Sequence, residues 1–329
     1  MKKVRLGIIG LGYVGKIHLS HALKLENAQV IGVADISRRA LSDARKQGVK
    51  KTFSDYEQLL KEPDFDAVII GLPTHLHRDC AIRAFEAGKD VFLEKPIARN
   101  VKEAKEIATA ARESSAKLMV GYPQRFNPIF CELKRKINCC ELGDVEIADA
   151  TYVSSGPFFH RAVDQAPSPV PEWWFDKEST GGGALMDLGC HLINLLRWYF
   201  GEVADIRSHL GYRYNIDLED HAICIVQFEH GTTAIMNVGW FSQVFQLKVD
   251  LLGSVANASA EHRPENHLVT AAKMFTLGNS RFLYPHLAEL HYFSDCVIKG
   301  VKPSPSGEDG LKDLEAIDLA YKNTIDLRV

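Results

Sequence analysis

No stretch of this sequence is apolar over the length of a membrane-spanning helix, which excludes a helical membrane protein. Lys2-Lys3 precede an apolar run as in a signal peptide. That run is broken by glycines with another use, and no small-residue cleavage site follows. The seven cysteines, at positions 80, 131, 139, 140, 190, 224 and 296, are scattered and contain no C-x-x-C pair. Neither a disulfide framework nor a zinc site is signalled, and the neighbouring Cys139 and Cys140 read as reduced thiols at a helix end. A net charge of −3 supplies no basic excess for nucleic acid or an anionic membrane. There is no internal repeat and no long low-complexity tract. The cytoplasm is the expected location.

What is present is an ordinary globular composition, 46% hydrophobic and 25% charged, over 329 residues, a length that favours two domains. The first fifteen residues organise the chain. An apolar run, residues 4–9, leads into Gly10-x-Gly12-x-x-Gly15, and residues 16–23 read as a helix. Strand, glycine turn and helix together form a dinucleotide-binding fingerprint. Gly10 permits the turn, Gly12 lets backbone approach a pyrophosphate, and Gly15 lets the helix pack closely. The helix N-terminus then offers N–H groups to phosphates. A second strand ends in Asp35, twenty residues past Gly15, where an acid binds the adenosine ribose. Asp35 favours NAD, because a carboxylate repels a 2′-phosphate. Ser37, Arg38 and Arg39 soften that choice and keep NADP open.

Strands and helices alternate as far as residue 122, with a buried-type run at 66–70 and further strands at 90–93 and 117–120. The alternation predicts a doubly wound parallel sheet of the Rossmann type, with ligands outside the carboxyl ends of its strands. Segments 10–15, 35–39, 71–77, 94–97 and 121–125 should therefore line one crevice. Its cofactor-binding candidates are Gly10, Gly12, Tyr13, Val14, Gly15, Asp35, Ile36, Arg38, Leu72, Pro73, Thr74, His77, Glu94, Lys95 and Arg125. Beyond residue 122 the pattern changes. A linking helix, a strand at 145–155 and a helix at 183–200 precede consecutive strands near 203–211, 220–228, 232–240 and 245–252. Helices at 286–298 and 308–325 close the chain. Strands without intervening helices predict a largely antiparallel sheet. The expected domains are 1–122, which binds the dinucleotide, and 123–329, which binds substrate and forms the oligomer contact.

Two constellations carry chemistry. Glu94-Lys95-Pro96 follows a strand of the parallel sheet, so Lys95 would lie in the crevice, where an ammonium can hold or protonate a substrate hydroxyl. Position alone fits a surface lysine equally well. Asp187 and His191 are four residues apart and share one face of a helix. A carboxylate beside an imidazole makes an acid/base unit; an exposed i,i+4 pair has the same spacing. The run Gly181-Gly182-Gly183 before them follows no parallel strand, so it reads as room for a helix to start in a crowded place. With two possible ligands and no third, no metal is expected. Arg125, His160 and Arg161 suit a phosphate or carboxylate as well as plain solvation. Trp173 and Trp174 suit a sugar face as well as packing.

These motifs together resemble the Gfo/Idh/MocA family of NAD(P)-dependent oxidoreductases, named for glucose-fructose oxidoreductase and inositol dehydrogenase. The resemblance runs nearly end to end. It is carried by the fingerprint, Pro73-Thr74-His75-Leu76-His77, Gly88-Lys89-Asp90-Val91 leading into Glu94-Lys95-Pro96, Arg125-Phe126-Asn127-Pro128, and Gly181 to His191. It implies a Rossmann domain followed by an α/β domain with an open, mainly antiparallel sheet that often makes a dimer or tetramer contact. It also implies Lys95 as a catalytic or substrate-binding lysine, His191 as acid/base and Asp187 as its partner. Substrate contacts are then expected from Lys95, Arg125, His160, Trp173, Asp187 and His191. The expected reaction is hydride transfer between NAD(P) and a secondary alcohol of a sugar-like substrate: inositol, sugar, sugar phosphate or nucleotide sugar. The alternatives are a non-catalytic NAD/sugar-binding regulator and an enzyme using NAD transiently for elimination or isomerisation. Where the family often carries an acid three residues after the histidine, this chain has Asn194.

Overall fold

The computed structural model describes residues 3–159, 170–262 and 284–325. Its contacts divide into two units. The first comprises residues 1–126 and 284–311, the second 127–283 and 312–329. The segment 284–311 returns to the first unit, where its apolar side chains fill the core.

The first unit is built on strands β1 (Val4–Ile9), β2 (Ala28–Ala34), β3 (Lys51–Phe53), β4 (Ala67–Ile70), β5 (Asp90–Glu94) and β6 (Leu118–Gly121). They form one parallel sheet in the order β3-β2-β1-β4-β5-β6. Parallel strands are covered on both faces, which is why β4 is buried at every position. The helices between them are α1 (Tyr13–Ala22), α2 (Arg38–Lys46), α3 (Tyr56–Leu60), α4 (His77–Glu86) and α5 (Val101–Ser114). Ser37, Asp55 and Asn100 cap α2, α3 and α5 by accepting backbone N–H bonds. Helix α1 starts at Gly12 with no side-chain cap and no acid in its first turn. A later helix joins the same core through Leu287, Leu290 and Phe293, beside Ile8, Leu19 and Phe92.

The second unit begins with α6 (Pro128–Asn138), capped by Asn127. Strands β7 (Val145–Val153), β8 (Val203–Gly211), β9 (His221–Phe228), β10 (Thr233–Gly239), β11 (Gln246–Gly253) and β12 (Asn257–His262) form its sheet in the order β12-β11-β7-β10-β9-β8. Only β7 and β10 pair in parallel; the rest of the ladder is antiparallel. Between β7 and β8 lie the short α7 (Lys177–Thr180), a π-helical turn at Leu185–Gly189, and α8 (Cys190–Phe200). The turn packs on β7 and β10, and α8 on β7. One sheet face is buried through Ala148, Ala150, Ala234, Met236, Leu247 and Val249, while Ile147, Ile223, Ile225, Ile235 and Leu252 stand exposed. Helices α9 (Pro285–Lys299) and α10 (Gly307–Lys322) follow. Among the described residues no helix is long and apolar enough to cross a membrane.

Asn194 settles inside this second unit. Its side-chain amide donates to Asp313 at 2.7 Å. The same carboxylate pairs with Arg197, which also pairs with Glu202 at 2.9 Å. Both members of the Arg197–Asp313 pair are buried, so loss of one partner strands the other's charge. Asp313→Ala is expected to cost about 3 kcal/mol of unfolding free energy, at the lower end for a buried pair because Glu202 still holds Arg197. Urea unfolding measures this, and an unchanged midpoint would refute the role given to the pair.

Candidate functional site

Six parallel strands bring their carboxyl ends to one edge of the first unit, so the predicted segments after β1, β2, β4, β5 and β6 share that edge. Gly10 has φ +88°, and a Cβ there would lie 2.6 Å from the Gly71 carbonyl oxygen. A Cβ on Gly15 would lie 2.0 Å from the Gly10 carbonyl oxygen, so helix and strand meet as closely as backbone allows. Gly12 faces open space. The Asp35 carboxylate accepts the Leu11 N–H at 2.6 Å and the Ser37 N–H at 2.7 Å, tying the glycine loop to the end of β2. Beside it Ile36 is 92% exposed, an unusual state for an apolar side chain. Tyr13 and Arg38 are exposed, and Val14, Leu72 and Pro73 half-buried.

Two other candidates on this edge face inward. His77 is buried, with Nδ1 2.9 Å from the Pro96 carbonyl oxygen and Nε2 2.8 Å from that of Leu72. Burial lowers its pKa, so a neutral ring donates to one carbonyl at a time and braces the loops after β4 and β5. Thr74 is buried beside it. Glu94 is also buried. Its Oε1 meets His18 Nε2 at 2.5 Å, and its Oε2 accepts the Lys95 N–H at 3.1 Å. Lys95 itself is half-buried and joined to Pro96 by a cis peptide bond. The half-buried Arg125 donates to Ser304 at 3.4 Å.

In the second unit the glycine run and the Asp187/His191 stretch form a built turn. The Glu219 carboxylate accepts the N–H of Gly183 at 2.9 Å, the N–H of Leu185 at 3.1 Å and the Tyr321 hydroxyl at 2.7 Å. The Glu219 carbonyl accepts the Ala184 N–H. A Cβ on Gly182 would meet the Tyr321 oxygen at 2.1 Å, and one on Gly183 the Glu219 carbonyl oxygen at 2.0 Å. This is the crowded helix start read from the sequence. Asp187 lies in the π-turn, half-buried, and the Trp240 indole N–H donates to its Oδ2 at 3.1 Å. His191 is buried in the first turn of α8, its ring 5.6 Å from that of Tyr152. The expected regular helix through both residues is thus replaced at Asp187 by a π-turn, a feature frequent at functional sites.

Two family models match this chain. One, described as the oxidoreductase family with an NAD-binding Rossmann fold, covers residues 4–122, and one, the GFO/IDH/MocA C-terminal domain, covers residues 130–258. The chain belongs to the Gfo/Idh/MocA oxidoreductase family. Its first unit is accordingly an NAD-binding Rossmann domain. The chain is 27% identical to the scyllo-inositol 2-dehydrogenase (NAD(+)) of Bacillus subtilis, over 98% of this chain and 94% of that one. Among solved structures it superposes on GenD2 from gentamicin A biosynthesis, in complex with NAD, with a TM-score of 0.86 at 21% identity, covering 100% and 96% of the two chains. It superposes on the scyllo-inositol dehydrogenase of Lactobacillus casei, with bound NAD(H) and scyllo-inositol, with a TM-score of 0.79 at 21% identity, covering 98% and 97%.

Of the remaining candidates, Trp173 is half-buried against Trp174, ring centroids 5.3 Å apart, and His160 and Arg161 lie outside the described residues. Sequence reasoning on this member of the Gfo/Idh/MocA family missed His18, Glu219, Trp240 and Glu289. The available signals were faint: an acid pair, Glu219-Asp220, just before β9, and an acid four residues ahead of Phe293 on the buried stripe of α9. Gly183→Ala is expected to lower unfolding free energy by at least ~2 kcal/mol, because the methyl meets fixed backbone. A wild-type thermal midpoint in that variant would show that the turn yields.

Proposed function

We propose that the chain is an NAD-dependent dehydrogenase that oxidises a secondary alcohol on an inositol or other sugar-like ring, or runs the reverse reduction. The observation that carries this is Lys95, half-buried at the carboxyl end of β5 on the same sheet edge as the uncapped glycine turn and Asp35. The residues fit the cofactor. The N-terminus of α1 has no side-chain cap, Gly12 leaves space for phosphate, Asp35 has carboxylate lone pairs for ribose hydroxyls, and exposed Ile36 offers an apolar face to adenine. Inositol dehydrogenases among the relatives support the substrate class.

When bound, NAD supplies the hydride acceptor. His191 takes the proton of the substrate hydroxyl as general base. Lys95, in the first unit, supplies an ammonium of the kind that stabilises negative charge on a substrate oxygen. Asp187, held by Trp240, keeps a fixed carboxylate in the π-turn just ahead of the base. Residues 1–122 hold the dinucleotide and residues 123–329 the substrate, with 284–311 lending core support to the first unit. The exposed isoleucines of the second sheet set apolar side chains among polar ones on its open face, and we place a second copy of the chain on it.

Initial rates of NADH and NADPH formation over inositols, hexoses, hexose phosphates and UDP-sugars test the reading. Turnover is expected with one class and with NAD preferred, falling at least about 10²-fold in Lys95→Met and in His191→Ala. Full activity in both variants would refute the assigned roles. Product formed without net NADH would instead point to transient use of the cofactor. Sedimentation of Ile225→Lys is expected to show a smaller species than wild type; identical profiles would remove this face as the contact.

A further inference from the structure

Behind Lys95 lies a buried cluster with no direct part in the proposed reaction. His18 on α1, Glu94 at the end of β5 and Glu289 on α9 all belong to the first unit. His18 and Glu289 have no exposure to solvent, and Glu94 has 6%. One polar atom from each residue lies within 4.8 Å of the other two. The rings of Phe92 and Phe293 wall the cluster, with Phe92 5.2 Å from His18. His18 bonds one oxygen of Glu94 at 2.5 Å, and the other oxygen takes the Lys95 N–H at 3.1 Å. Neither carboxylate oxygen of Glu289 has a hydrogen-bond partner among the described residues.

Two ionised carboxylates at this distance in a buried pocket would repel strongly. Burial, and then the charge of Glu94, push the Glu289 carboxyl well above its ordinary range. Burial would also push Glu94 up, but His18, His286 and Lys95 hold it below the ordinary value. One acid therefore stays ionised and the other keeps its proton.

We propose that His18 and Glu94 are positioning residues for Lys95, and that Glu289 completes their pocket as an un-ionised carboxylic acid rather than as a metal ligand. The inference rests on reading Lys95 as a reaction-site residue. The chain of bonds runs from the His18 ring to the Glu94 carboxylate and on to the Lys95 N–H. It fixes the backbone from which the ammonium projects. A displacement of about 1 Å at a reacting group can cost about 10²-fold in rate. The charged or titratable groups facing the cluster are His18 and His21 on α1, Glu94 and Lys95 at the end of β5, and His286 and Glu289 on α9. His21 is lowered to about 4, first by burial and then by Lys24 and His18, and stays uncharged near neutrality.

The test uses the full chain with the substrate class found above. His18→Ala and Glu94→Gln are expected to lose about 10²-fold in kcat with KM for NAD within threefold of wild type. His18→Gln, whose amide N–H can reach Glu94, is expected to recover most of that loss and stands in if His18→Ala does not fold. Glu94→Gln also removes the negative charge that favours the Lys95 ammonium, so the alkaline limb of kcat/KM moves to lower pH; a purely structural role would leave that limb in place. Wild-type kcat in both variants, with Lys95→Met inactive, overturns the inference alone. An active Lys95→Met overturns the proposed function and this inference with it.

Glu289 is tested by stability. Its raised pKa means that its favourable contribution is complete below the unfolded-chain value, about 4.3, and is lost as pH rises toward the folded value. Glu289→Gln should therefore raise the urea midpoint above wild type at pH 8, with the gap closing toward pH 4. A lower midpoint at pH 8, or stoichiometric zinc in the wild type that this variant loses, overturns the un-ionised assignment.

Discussion

One close approach of backbone governs the first unit. Helix α1 crosses the end of β1 so tightly that a single methyl at position 15 would lie 2.0 Å from the Gly10 carbonyl oxygen, and Gly10 in turn presses on Gly71 at the end of β4. Only glycine relieves both contacts, and at position 10 the positive φ adds a second reason. Because β1 and β4 pair directly, this contact sets where the helix N-terminus meets the sheet edge. Asp35 extends the arrangement sideways. By accepting N–H groups from Leu11 and Ser37 it makes the loops after β1 and β2 one piece. His77 does the same for the loops after β4 and β5. The edge is thus held by backbone amides and carbonyls, and each side chain that braces it is partly or wholly withdrawn from solvent.

What the sequence made legible were the features set by near neighbours. The glycine spacing and the apolar run of β4 each act within one or two turns of chain, so their meaning survives without coordinates. The parallel sheet, the mainly antiparallel second sheet and the strand-end segments all followed from such signals. Features that depend on distant partners did not. Three residues of β3, all half-buried, leave no periodic signal. The acid that organises the Gly183 turn is 36 residues away, and the indole that holds Asp187 is 53 residues away. The π-turn arises where Leu185–Gly189 must satisfy those partners together, and nothing in its own five residues announces it. Likewise the return of residues 284–311 to the first unit is decided by the cavity that Leu287, Leu290 and Phe293 fill. For the candidate site, the residue types were readable but their facing was not: Glu94 and His77 sit on the predicted edge, yet both turn inward.

The two glycine-rich stretches show how one composition serves opposite ends. Both precede helical segments and expose backbone N–H groups that need acceptors. At Gly10–Gly15 no side chain caps the start of α1; the nearby carboxylate of Asp35 accepts from Leu11 and Ser37 instead, and Gly12 opens outward. At Gly181–Gly183 the acceptor is built in. Glu219 takes the N–H groups of Gly183 and Leu185, and Tyr321 donates to the same oxygen. An anion arriving there would meet a buried carboxyl group and the walls that a Cβ at either glycine would strike. In the first stretch Gly12 leaves the space before the amides open, while at Gly182 and Gly183 the protein itself already fills it. The sign and source of the group facing the amides, rather than the glycines, separate a phosphate cradle from a rigid mount for Asp187 and His191.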